Sequence, residues 1–401
     1  MRLFALSFIG LLFCTASLSA AEQSVGQQFL ALIFERKDPT GNAYPHMADP
    51  PLWPQGKYLL EGESNQNLHT LLDQLTAREA KALFPNPREK ALVQNALWQV
   101  YDYMTLDFAE QRAARVALRP KLAAAIRQLG MSPADLEALP DNLTTAENRE
   151  LPVLLARDSA WIALSLKDEK PVAAAHLMQL DASAFTVFFK HPEGRAAGIK
   201  LLDELAKVPF PLARNERGGS FFTADAIPVK LPDGTQVALL RRMLLVDREG
   251  RIVASPITQT LQIRTRDERV LLQRERMLYE ADARMQEFHL DRAKYLAGEK
   301  DSLVAVKPEE REPLVFQAHA YDAYDTKEHR SAHPIVLQQC AACHREPGAA
   351  AVHSFTRFFT GIAKENPGLH ESTLDRETQI TVKALTERDD WKELQKHWKP
   401  K

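Results

Sequence analysis

Val93, Leu97, Val100, Met104 and Phe108 recur at steps of four, three, four and four, the pattern of an amphipathic helix with one apolar face. Asn86, Pro87 and Glu89 mark its start: an acceptor for free N–H groups, a proline at the first helical position and a carboxylate at the third. Thr76 and Glu79 have capping-box spacing and read as another helix start. Further helices are predicted over residues 25–36 and 110–129, the second broken or kinked at Pro120 and stopped at Gly130. Ser132-Pro133 opens a short one. Residues 37–45 read as a loop, and residues 46–65, rich in Pro and Gly, as irregular chain. The methionines and aromatics on these helical faces are assigned to the core.

From about Asp181 the period changes. Residues 184–189 are a short apolar, β-prone run, followed by His191-Pro192-Glu193-Gly194 and a helix over 195–207. Residues 227–230 and 236–246 read as strands flanking the turn Pro232-Asp233-Gly234, and 247–250 is a second turn. Ile257, Leu261 and Ile263 alternate with Thr258, Thr260, Gln262 and Arg264, so this strand has a buried face and a wet one. Residues 267–282 are heavily charged and read as a solvated helix or connector, and 287–316 are mixed. Residues 378–398 read as a helix with Ile380, Ala384, Trp391, Leu394 and Trp398 on one side. The fold class is α+β: a helical N-terminal region over 22–180, a β-containing middle over 181–330, and a mainly helical C-terminal segment over 331–401.

The chain start is different in kind. Arg2 precedes an apolar run over 3–13, and small residues follow through Ser19, Ala20 and Ala21. That is the layout of a secretory signal peptide over 1–21, with cleavage after Ala20 or Ala21. The plainer alternative is a buried helix or an uncleaved anchor, although the run is shorter than the roughly 20 residues a bilayer demands. Bulky Phe13 stands before Cys14 where a lipoprotein signal has a small residue, so Cys14 belongs to the discarded segment. No later segment is apolar enough to span a membrane, and export places the protein in the periplasm. Composition adds little: 401 residues, 45% hydrophobic and 26% charged, are ordinary for two or three globular domains. With 51 basic and 53 acidic residues, a net charge of -2 gives no reason to expect nucleic acid.

Cysteine usage does change the picture. Of three cysteines, only Cys340 and Cys343 follow the leader, which excludes a disulfide framework. They stand in Cys340-Ala341-Ala342-Cys343-His344, the pattern for covalent attachment of one c-type haem. Two thiols on one turn can reach the two vinyl groups on one edge of the porphyrin. The next residue, His344, then meets the iron from the proximal side. Pro334 and Pro347-Gly348 bracket the motif. Two rivals remain. A structural zinc site needs four ligands, which the two cysteines and nearby histidines could supply, although there is no second cysteine pair. A thioredoxin-like dithiol would leave the histidine incidental.

Residues 333–355, HPIVLQQCAACHREPGAAAVHSF, resemble the end of an uncharacterised group of exported bacterial proteins with a C-terminal c-type cytochrome motif. Residues 88–104, and 234–263 with their RRMLLVD core, fit the same resemblance, which then covers most of the mature chain. It implies the roles of Cys340, Cys343 and His344, and no activity.

The second axial ligand is less marked. All eight methionines lie at or before Met285, so a methionine ligand would come from upstream, from Met285 or Met277. Histidines are nearer: His319, His329 and His333 before the motif, His353 and His370 after it. His353 is the favoured distal ligand because the Pro347-Gly348 turn can fold the chain back; its plainer reading is a surface histidine. His333 reads equally as a cap that orients the haem segment, and a vacant sixth site stays open. Few residues follow Ser331, too few to shield a haem alone, so the upstream regions should complete its pocket. The expected function is electron transfer with a periplasmic redox partner protein. The alternatives are a peroxidase-like haem oxidoreductase and a haem-based sensor or interaction protein.

Overall fold

In the computed structural model of the chain, the alternation around Ile257–Arg264 becomes the inner hairpin of a seven-stranded antiparallel sheet. The structure describes residues 23–34, 36–37, 43–44, 57–77, 80–105, 111–146, 150–156, 158–173, 182–207, 212–214, 220–222, 231–265, 285–305 and 368–398. The strands are β1 (Arg36–Lys37), β2 (Ala43–Tyr44), β3 (Trp161–Leu166), β4 (Ser183–Lys190), β5 (Leu212–Arg214), β6 (Ser220–Phe222), β7 (Gln236–Val246), β8 (Ile252–Thr265), β9 (Met285–Leu290), β10 (Leu303–Ala305) and β11 (Leu369–Ser372). The helices are α1 (Val25–Phe34), α2 (Gly62–Ala77), α3 (Ala80–Leu83), α4 (Pro87–Thr105), α5 (Arg112–Gln128), α6 (Pro133–Glu137), α7 (Glu150–Val153), α8 (Arg195–Leu205), α9 (Arg292–Ala297), α10 (Leu374–Thr386) and α11 (Asp389–Lys396). The chain is thus α+β.

The large sheet runs β10-β9-β8-β7-β4-β3-β11, so strands from all three sequence regions meet in it. Its inner hairpin closes at Asp247, whose N–H donates to the Arg251 carbonyl at 2.9 Å. Gly250 there has φ 81°, a left-handed conformation that favours glycine. The register shifts between Arg241 and Leu244. Asn142 repairs the ladder at this bulge: its amide donates to the Thr258 carbonyl at 2.9 Å and its oxygen accepts from the Thr258 N–H at 2.7 Å. On one face of the sheet Trp161, Phe188, Leu240, Leu261 and Phe288 pack with Leu143, Leu151 and Leu154. The other face, at its β11, β3 and β4 end, is covered by α8.

The sequence predicted one apolar face for α4, but the helix is buried on every side from Glu89 to Met104. It lies against α1, α5, α9 and β7 at once. Several of its buried polar residues have partners from elsewhere in the fold, while the Tyr101 hydroxyl and Gln99 Oε1 are buried without one. Lys90 Nζ donates to the Gly130 carbonyl at 2.9 Å and to Asp135 at 2.7 Å. Burial alone would raise the Asp135 carboxyl, but the hydrogen bonds from Lys90 and Ser132 outweigh it and hold the group below the usual carboxylate range.

Three local readings change. Thr76 lies in the last turn of α2, where its hydroxyl donates to the Leu72 carbonyl at 2.9 Å, and it starts no helix. The α5 helix is not broken at Pro120 but runs on through it. The carbonyl this proline leaves without a donor belongs to Val116, which is 49% exposed, so water can serve it. The single helix read over 378–398 is two, α10 and α11, separated at Glu387 and Arg388. Trp391 stacks 5.0 Å from Trp98 on α4 and 5.6 Å from Trp398, which holds the end of the chain on the N-terminal helices.

Candidate functional site

Cys340, Cys343, His344 and His353 lie outside the described residues, as do His319, His329, His333 and Met277. Met285 is the first residue of β9, opposite Arg264 in register. His370 lies on β11, opposite Ser165 of β3. No two of the expected ligands are therefore brought together among the described residues.

What the fold does bring together is a row of polar side chains on β7, β8 and β9. Residues paired directly across an antiparallel sheet project to the same side, and alternate residues share a face. Arg241 stands opposite Phe185 on β4 and Thr260 on β8, and Thr260 stands opposite His289 on β9. Two residues along, Val187, Leu239, Gln262 and Glu287 form the next row. Arg264, paired with Val237, extends the same face. Arg241, Gln262 and Glu287 are buried. His289 Nε2 lies 3.5 Å from Glu287 Oε1, with 16% of its side chain exposed. An imidazole, a carboxylate and two guanidinium groups thus share one sheet face.

This face continues into α4 through a buried polar chain. Arg241 Nε donates to Ser183 Oγ at 2.9 Å, and that hydroxyl donates to Gln259 at 2.5 Å. Gln259 and Gln99 both donate to Asn95 Oδ1, at 3.0 and 2.5 Å. The Asn95 amide reaches the Ala182 and Leu244 carbonyls. Through this chain the Arg241 guanidinium is tied to the helix at the centre of the fold, although Gln99 Oε1 itself is buried without a partner.

His289 was missed in the sequence. The signal was Glu287 and His289 alternating with Phe288 and Leu290 in a stretch read only as mixed. The alternation is short, and the partners in register on β8 are more than twenty residues away.

His370 sits in a second polar corner, on the opposite face of the sheet. Ser165 and Ala163 share that side, and Ala163 pairs with Phe188 of the apolar cluster. Burial first, then the nearby Arg376 and Lys167 charges, lower its basicity and favour the neutral ring. Beside it Ser372 donates to Glu377 at 2.7 Å. Burial raises the Glu377 carboxyl, only partly offset by that hydrogen bond and the Arg376 charge. An acid whose folded pKa is raised favours the folded state below its unfolded pKa, and the benefit is lost as pH rises through the folded value. Glu377→Gln should therefore raise Tm by about 2 °C at pH 7, with the gain vanishing below pH of about 4. Calorimetry at both pH values checks it; an equal gain at acid pH would refute the assignment.

No group of three His, Cys, Asp or Glu side chains suited to a metal ion occurs among the described residues. The donor set on β7–β9 is of another kind. One imidazole with a carboxylate beside it and two guanidinium groups make it a set of opposite charges, flanked by Phe185 and Leu239. No protein-family model, no curated protein and no solved structure matches the chain.

Proposed function

We propose that the chain is an exported c-type cytochrome. It holds one haem through Cys340 and Cys343, with His344 as proximal ligand, and exchanges electrons with a periplasmic redox partner. What carries this reading is Cys340-Ala341-Ala342-Cys343-His344, whose thiols are the only ones after a leader-like segment over 1–21. A dithiol role would need neither the adjacent histidine nor the leader, and a zinc site would have to find two further ligands among histidines. No helix among the described residues is long and apolar enough to cross a membrane. When bound, the haem supplies the one-electron chemistry; the protein holds it, shields it and sets its potential.

Expression in a cytochrome-maturing host tests the reading. The exported form should begin at Ala21 or Glu22, carry the added mass of one haem, and keep its haem stain through denaturing electrophoresis. Retention of Met1, or protein that releases all its haem on denaturation, would count against it.

A peroxidase-like oxidoreductase is the second reading. The observation that favours it is His289 beside Glu287 in the row that also holds Arg241, a set able to move protons next to a haem. A high-spin ferric protein that binds cyanide and consumes peroxide would select it over electron transfer.

A further inference from the structure

We draw no further inference here: the strongest candidate, the polar corner of Ser165, His370 and Glu377 on β3, β11 and α10, rests on the ionisation of its buried groups alone, and nothing among the described residues shows what it would bind or switch.

Discussion

Alanine at both Cys340 and Cys343 will leave an exported chain with no haem on a denaturing gel, while Cys14→Ser will leave haem content unchanged. The expectation follows from how the proposed haem would be held. Each thioether is a covalent bond, so denaturation cannot release it, whereas an axial histidine alone is lost with the fold. With both thiols gone, His344 has nothing to keep the iron beside it once the chain unfolds. Single replacements should each keep one thioether and retain part of the stain. The experiment also separates the rivals, because a zinc site would yield stoichiometric zinc and no haem in the wild type. A dithiol would yield protein whose thiols become titratable on reduction. Haem staining, metal analysis and thiol titration on the same preparations distinguish the three, and haem bound as tightly in the double variant as in the wild type would sink the attachment claim.

The parts of this molecule legible in the sequence are those whose physics is local. The haem reading of Cys340, Cys343 and His344, which lie outside the described residues, likewise rests on spacing alone. The strand over 236–246 and the turn at 247–250 follow from alternation and from Gly250. The start of α4 follows from Asn86, whose side chain accepts from the Arg88 N–H at 3.0 Å. What escaped is set at a distance. Lys90, Gln94 and Asn95 look like the wet face of a helix, yet they are buried because their partners come from α6 and the chain before it, the end of α5, β7, β8 and the chain just before β4. A polar residue in a pattern cannot announce a backbone carbonyl that a strand will deliver 152 residues later. Likewise, Glu287 and His289 gain their meaning from register with Gln262 and Thr260, and β11 from pairing with β3.

The distant bonds of Gln94 set the largest stability effect expected from one described residue. Its Nε2 lies 2.8 Å from the Leu129 carbonyl, 2.8 Å from the Val246 carbonyl and 3.3 Å from that of Ile126, and its Oε1 accepts from the Val246 N–H at 2.8 Å. The Ile126 and Leu129 carbonyls belong to the last turn of α5, where no helical donor follows. One carboxamide thus ties together the middle of the central helix, the end of α5 and the last residue of β7. Gln94→Leu keeps the volume close but leaves several of these groups buried without partners. Each such group costs about 1–3 kcal/mol, so the variant should lose about 3–5 kcal/mol in total. Gln94→Glu should be no better, because a carboxylate cannot donate to three carbonyls. Gln66→Leu on the exposed side of α2 is the control and should change stability by no more than about 0.5 kcal/mol. Urea titrations of the three variants supply the test, and a Gln94→Leu midpoint equal to that of the control would refute the role. The same loss should reach the polar face of the sheet. Gln94 adjoins Asn95, through which Gln259, Ser183 and Arg241 are held, so the leucine variant should also weaken that polar chain.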